Sequence, residues 1–290
     1  MKENIKRLLF VFAVLLMLIV SVPFICFADE QKQEQKQEEE KVTGGADLSV
    51  MSAYIWRGQE LTRHSIVVQP SVTLSYKGFT ANVWGNLDTR PYSAGDARYA
   101  SNFTEADITL SYSRKFGIVQ AGAGYIYYAL AAPYSGAPDP LDAQEVFFTV
   151  ALDTLLAPAL TVYKEIDHYH QWYILLGISH TFELNKTIGL KLAAQASYLK
   201  SEDGGTYPKY DSDALPTTDK FNNFHDGTIT ISLPVAVTKS LTITPTASYV
   251  FPLSDDAKYE MKGRGLQGAA NPSDKYSDFL YGGITISFVF

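Results

Sequence analysis

The stretch that most constrains the fold is the end of the chain, residues 280–290, where apolar and polar side chains alternate. The apolar set comprises Leu280, Ile284, Ile286, Phe288 and Phe290, with Tyr281, Gly283, Thr285 and Ser287 between them. A period of two is typical of a β-strand with one apolar and one mostly polar face. An apolar terminal strand is a liability at the edge of a soluble sheet, whereas a closed barrel pairs its last strand with its first. The pattern therefore favours a transmembrane β-barrel.

The same alternation recurs from Ala46 onward and predicts an all-β, antiparallel up-and-down barrel of about twelve strands. Short and long connections alternate along the chain, which is the outer-membrane pattern and predicts that both termini are periplasmic. Aromatic residues near the ends of the apolar faces predict interfacial girdles, and they include Trp56, Tyr76, Phe79, Tyr112, Tyr125, Phe182, Tyr249 and Phe290. A soluble β-sandwich shows the same periodicity and stays the alternative fold.

The first residues predict export. Lys2, Lys6 and Arg7 precede a nearly continuous apolar run over residues 8–25, and Ala28 supplies a small residue for cleavage, so residues 1–28 are a predicted signal peptide. A retained membrane anchor is the alternative, because the run approaches spanning length. Residues 29–45 are rich in Gln, Glu and Lys and predict a disordered periplasmic linker, so the predicted barrel covers residues 46–290.

The formal net charge of −7 excludes the basic surface expected of a nucleic-acid-binding protein. Cleavage after Ala28 removes the single cysteine, Cys26, and with it any thiol chemistry. We expect no cofactor.

Two stretches resemble the TorF-type porins (the Gcw_chp group) of bacterial outer membranes. Residues 52–59 contain Tyr54, an aromatic and Arg57-Gly58 at the end of the first predicted strand, and residues 69–72 place Pro70 early in the second. Residues 145–163 and 173–180 resemble the middle of the same proteins. Ala53 departs from the family pattern, which has Asp before the Tyr. The resemblance implies a barrel and a pore but names no solute. The terminal Phe290 also resembles the C-terminal signal of outer-membrane proteins, which implies recognition by the barrel-assembly machinery.

Polar side chains on the predicted lumen face are mainly acidic. We expect the pore lining to include Glu105, Asp107, Glu145, Glu165, Lys191, Trp84, Tyr128, Tyr163 and Arg57. Such a lining concentrates cations in a low-dielectric tube, so we expect cation preference in the passive diffusion of small hydrophilic solutes. The three aromatic residues in this set could stack on a sugar or another flat solute. The alternative is that the carboxylates pair with Lys191, Arg57 or Arg63 and only solvate the lumen. We interpret Arg57 first as structural, with its guanidinium satisfied by loop carbonyls or an inward carboxylate.

Histidines near the outer loops could act as a general base or as metal ligands, so a hydrolase or metal site is a minor alternative to the porin function. Neighbours on a strand point to opposite sides, so Asp167-His168 and His225-Asp226 would each need partners from other loops. His168, His170 and His225 could share a metal. A third possibility is a barrel whose outer loops, including residues 200–224, serve adhesion or fold inward as plugs. No enzyme activity is expected, and the expected partners are membrane lipid, lipopolysaccharide and the diffusing solutes.

Overall fold

The structure, a computed structural model, describes residues 41–62, 65–89, 101–132, 140–263 and 276–290. The predicted signal peptide, most of the predicted linker and Arg63 lie outside the described residues. The first strand begins at Thr43, slightly before the predicted start of the barrel at Ala46. No helix in the described ranges is both long and apolar enough to cross a membrane.

The strands follow one another with few interruptions. In chain order they are β1 (Thr43–Met51), β2 (Ile55–Trp56), β3 (Gln59–Glu60), β4 (Val67–Tyr76), β5 (Phe79–Asp88), β6 (Asn102–Phe116), β7 (Val119–Leu130), β8 (Ala143–Leu152), β9 (Ala159–Glu165), β10 (Gln171–Glu183), β11 (Gly189–Ser201), β12 (Pro208–Tyr210), β13 (Pro216–Lys220), β14 (Asn222–Ser232), β15 (Val235–Ala236), β16 (Leu241–Pro252) and β17 (Phe279–Val289). One helix, α1 (Asp255–Gly263), lies between the last two strands.

Twelve of these strands form a closed antiparallel barrel, as the sequence predicts. Wall strands pair in chain order from β4 to β11, then through β14 and β16 to β17. The last strand pairs with β1, for example at Asp47↔Ser287, and β1 pairs with β4. The wall therefore has no free edge, which removes the exposed backbone groups that a membrane could not solvate. The short β15 pairs with β16, and its Val235 also forms an isolated antiparallel bridge with Ile188.

The two faces of the wall differ as the alternation predicts. Apolar side chains on the outer face are open to the surroundings even at mid-strand, where Leu110 and Phe148 are each 52% exposed. Polar side chains of the same strands, such as Thr109 and Thr149, face the lumen. A soluble sandwich would bury the apolar set, so the exposure excludes that alternative and is typical of a barrel surrounded by lipid.

The two ends of the barrel are built differently. The start of β1, the end of β17 and the short connections lie at one end of the barrel, which we call the turn end. One of these connections is Lys77-Gly78, in which both residues have positive φ. At the opposite loop end, three connections fold over the lumen, and we call them the loop cap: residues 52–62, 202–221 and 253–263. Much of the buried apolar surface lies there, where Tyr207, Phe221 and Ala257 from the cap pack on Tyr173 and Leu199 of the wall. The helix and the β12–β13 hairpin lie in segments predicted as loops, whereas Tyr54 and Trp56 were predicted to continue the first strand.

Candidate functional site: a hairpin across the lumen

The β2–β3 hairpin crosses the inside of the barrel. Its two-residue turn is Arg57-Gly58, and both residues have positive φ (48° and 74°), as the turns that suit the twist of a hairpin require. The hairpin leaves the wall after β1, yet Arg57 reaches Glu145 on β8, with four other strands between β1 and β8 around the wall. The other side of the turn meets β14, where a Cβ on Gly58 would lie 2.6 Å from that of Asp226. The turn therefore spans the lumen.

Trp56 belongs to this hairpin rather than to an outer girdle, and Tyr54 lies directly before it. The chain bends at Ser52 and Ala53, so the alternation of β1 ends at Met51. Tyr54 is buried and its hydroxyl donates to Glu105 at 2.7 Å, while its backbone N–H donates to Thr62 at 2.9 Å. The prediction that Trp56 faces lipid is wrong because the period-two pattern does not continue through the bend.

Arg57 makes a buried ion pair with Glu145. Its Nη2 lies 2.6 Å from the Glu145 carboxylate, and both side chains are over nine-tenths buried. The hydroxyl of Tyr128 donates to the same carboxylate oxygen at 2.9 Å. The guanidinium also lies over the rings of Tyr163 and Tyr173, at 5.1 and 4.4 Å from their centroids. An inward carboxylate thus satisfies Arg57, one of the two structural options that the sequence left open.

The other predicted lining carboxylates have different surroundings. Glu165 is buried at the loop end and accepts four backbone N–H groups, from residues 167 to 170, so it orders the connection after β9. Glu105 and Asp107 lie on the lumen face of β6, and Asp107 is directly opposite Trp84 on one side and Tyr128 on the other.

Lys191 lies apart from the hairpin. It is opposite Thr181 and Ser232, in the half of β11 nearer the turn end, with its side chain exposed. The structure therefore brings most of the predicted lining residues to one level of the lumen, with Lys191 at another.

A second buried cluster joins the hairpin to the rest of the loop cap. Gln59 donates to Tyr207 at 2.9 Å and to Glu260 of α1 at 2.8 Å, and Tyr207 donates to the same Glu260 oxygen at 2.8 Å. The other oxygen of Glu260 lies 2.8 Å from Nε2 of His225 on β14. Four segments that are distant in sequence thus share one buried hydrogen-bond network, which ties the cap to the wall.

The expectation that His225 and Asp226 point to opposite sides is wrong. The register of β14 against β11 shifts between Gly227↔Ala196 and Phe224↔Tyr198, which leaves two residues of β14 facing Ser197. This β-bulge turns both side chains inward, and His225 Nδ1 lies 2.9 Å from the Asp226 carboxylate. A bulge cannot be recognised from periodicity alone.

This cluster does not have the geometry of a hydrolase. Carboxylates accept at both ring nitrogens of His225, so the geometry corresponds to an imidazolium with no nitrogen left to take a proton from a hydroxyl. Ser197 donates to Asp226 at 2.6 Å instead. His168, by contrast, lies at the loop surface beside Asp167. Within the described residues, no group of three or more potential ligand side chains could hold a metal ion.

No family model matches the chain, and no curated sequence matches it either. Membership of the TorF-type family therefore stays a prediction. The chain is similar to solved barrel structures: the NanC porin has 11% identity and a TM-score of 0.48 over 84% of this chain and 98% of that one. The COG4313 outer membrane channel from Pseudomonas putida F1 has 10% identity and a TM-score of 0.44, over 89% and 100%. An anion-selective porin from Comamonas acidovorans has 12% identity and a TM-score of 0.31, over 86% and 99%.

Proposed function

We propose that the chain is a porin-like channel of the bacterial outer membrane, through which small hydrophilic solutes diffuse passively. The supporting observation is the lumen wall between the hairpin and the turn end, which is built from small hydroxyl residues. They bond to one another across neighbouring strands, as in Ser49–Thr285 (2.8 Å), Thr149–Thr161 (3.0 Å) and Thr230–Ser248 (2.9 Å). All of these residues except the buried Ser248 are partly exposed, which is consistent with a hydrated interior.

We also propose that the channel prefers cations to anions. Arg57 neutralises Glu145, whereas Glu165 is held by backbone N–H groups that stabilise its charge without cancelling it. Glu105 and Asp107 have no cationic partner among the described residues and lie where the hairpin narrows the lumen. Negative charge at a constriction with low-dielectric walls attracts cations and repels anions.

Reversal-potential measurements in planar bilayers test this proposal. Residues 29–290, refolded and checked by heat-modifiable gel mobility, should give discrete ohmic steps with a cation-selective reversal potential in a salt gradient. The double substitution Glu105→Gln and Asp107→Asn should shift that potential toward zero. Asp153→Asn is the matched control, because Asp153 pairs with Lys115 on an exposed turn outside the lumen. Anion preference of the parent channel would refute the cation proposal, and a folded but silent barrel would favour the adhesion role for the loops.

The remaining assignments belong to the same proposal. Residues 1–28 would be removed on export, and the linker would tether the turn end on the periplasmic side, with both termini there. The loop end would then face outward, among the lipopolysaccharide headgroups. The strand that ends at Phe290 would be the segment recognised by the barrel-assembly machinery, and no enzymatic role is proposed. Placement in the TorF-type family is proposed on the sequence resemblance alone, through Tyr54, Arg57-Gly58 and Pro70.

A further inference from the structure

Among the described residues, two buried polar atoms of opposite character at the constriction lack a hydrogen-bond partner. One is Nη1 of Arg57, a donor, and the other is Oδ1 of Asp107, an acceptor. Buried donors and acceptors in native proteins are nearly always paired, and an exception calls for an unseen partner or a function. Both atoms belong to ionisable side chains.

The surroundings of Arg57 leave only one direction open to a ligand. Its side chain is 7% exposed, Nη2 is engaged by Glu145, and the rings of Trp56, Tyr163 and Tyr173 surround the guanidinium. The Nη1 edge is what remains, and the edge of a guanidinium is the part that binds a carboxylate. The aromatic rings are turned to Arg57 and are thus occupied, which weakens the idea that Tyr163 stacks on a sugar.

Asp107 is connected to Arg57 through Tyr128. Tyr128 stands directly opposite Asp107 across the β6–β7 pair, and its hydroxyl donates to the same Glu145 oxygen that binds Arg57. The Asp107 side chain as a whole is half-buried, while its unpartnered Oδ1 is fully buried. Glu105 lies on the same face of β6 but already accepts from Tyr54. The unpartnered donor of Arg57 and the unpartnered acceptor of Asp107 therefore both lie near Tyr128, at one level of the lumen.

We propose that this level is a binding site for a small zwitterionic solute, with its carboxylate on Arg57 and its ammonium group on Asp107. Such a molecule satisfies both open atoms with charge-assisted hydrogen bonds, which are stronger than those a neutral sugar hydroxyl makes. This inference rests on the proposed channel function and specifies a class of solute for it.

Tryptophan fluorescence provides a test that needs no ion current. The chain has 3 tryptophans, and Trp56 and Trp84 lie at the site while Trp172 lies on the outer rim beside Lys164. The variant Trp172→Phe therefore restricts the signal to the site. The refolded barrel in detergent would be titrated with glycine, β-alanine and γ-aminobutyrate, a series in which the separation of the two charges increases.

One member of the series should give a saturable change, and it should bind more tightly than acetate, methylammonium or mannitol. Asp107→Asn should weaken it about tenfold, the loss expected for one charge-assisted hydrogen bond. Arg57→Lys, which keeps the charge but removes the planar fork, should weaken it as well. Lys191→Gln is the matched control, because Lys191 is a lumen cation at another level, and it should leave the affinity unchanged.

The failure of this site can be distinguished from failure of the channel. Saturable binding in a barrel that conducts no ions would leave the site standing and refute the channel. Conductance without saturable binding would refute the site and leave the channel. Equal affinity for mannitol, or unchanged affinity in a folded Asp107→Asn barrel, would also overturn the zwitterion proposal.

Discussion

At the scale of single residues, the Arg57-Gly58 turn carries the strictest steric requirement in the lumen. Gly58 has a φ of 74°, and a Cβ there would lie 2.6 Å from the Cβ of Asp226, which belongs to the wall. Gly58→Ala should therefore displace the hairpin, with a cost above the roughly 1–2 kcal/mol of left-handed backbone strain alone. The readout is the midpoint temperature of the heat-induced gel shift together with the fluorescence of Trp56.

Gly117→Ala is the control for that substitution. Gly117 also has a positive φ, of 60°, but nothing lies within 4 Å of where its Cβ would be. Backbone strain is thus common to both variants, and the clash is specific to Gly58. Equal effects of the two substitutions would show that the contact with Asp226 is unimportant.

Some residue positions could be predicted from the sequence and others could not. The alternation of side chains along each strand places Glu105, Asp107 and Glu145 on the lumen face, because the period of two holds within each strand. The alternation fails at His225 and Asp226, where one extra residue in β14 changes which side chains face the lumen. The partners of Arg57 also depend on strands far away in sequence, which no local pattern specifies.

At the scale of elements, the docking of α1 should depend on pH through Asp256. Ser254 caps the helix by accepting from the N–H of Ala257, and Asp256 binds Asn223 at 3.0 Å and Lys209 at 2.9 Å. Burial favours the neutral carboxyl, but these two partners outweigh it, so the pKa of Asp256 is lowered from its usual value. A lowered pKa in the folded state stabilises docking above the ordinary Asp pKa of about 3.9, and this contribution is lost as the pH falls through the lowered value.

Hydrogen exchange of the α1 amides, corrected for the intrinsic rate, measures this dependence. Protection should fall on acidification in the parent barrel, and Asp256→Asn should show lower protection at neutral pH with a smaller change in acid. Asp255→Asn is the matched control, since Asp255 occupies the same first turn but is exposed. Glu260 keeps its contacts in both variants. Identical profiles for the two substitutions would contradict the role of Asp256.

The elements of the loop cap were missed because they are short and their stability comes from tertiary contacts. Strands of two residues and a single nine-residue helix have little intrinsic stability in water. They persist here because Glu260, Gln59 and Tyr207 bond to one another inside the barrel mouth. The wall strands, in contrast, are long and strongly periodic, and their existence could be predicted from the sequence alone.

At the scale of the whole molecule, closure of the wall and occupation of its interior have separate causes. The register of β1 with β17 closes the barrel, and it depends only on alternation and turn length. The interior is set by one connection, the β2–β3 hairpin, which leaves the wall and makes contacts on β6, β8 and β14. A barrel of this size lies between those filled by side chains and those with open channels. The hairpin should therefore determine the effective bore.

Removal of the hairpin tests this separation directly. Replacing residues 53–61 with a short Gly/Ser linker should leave the wall folded, because none of its ladder pairs involve these residues. Single-channel conductance should then rise several-fold, since the segment that crosses the lumen is gone. Shortening residues 208–220 is the comparison, because among the described strands β12 and β13 pair with each other and not with a wall strand. It should raise conductance less. An equal rise in both variants would show that the hairpin at Arg57 is not the narrowest level of the lumen.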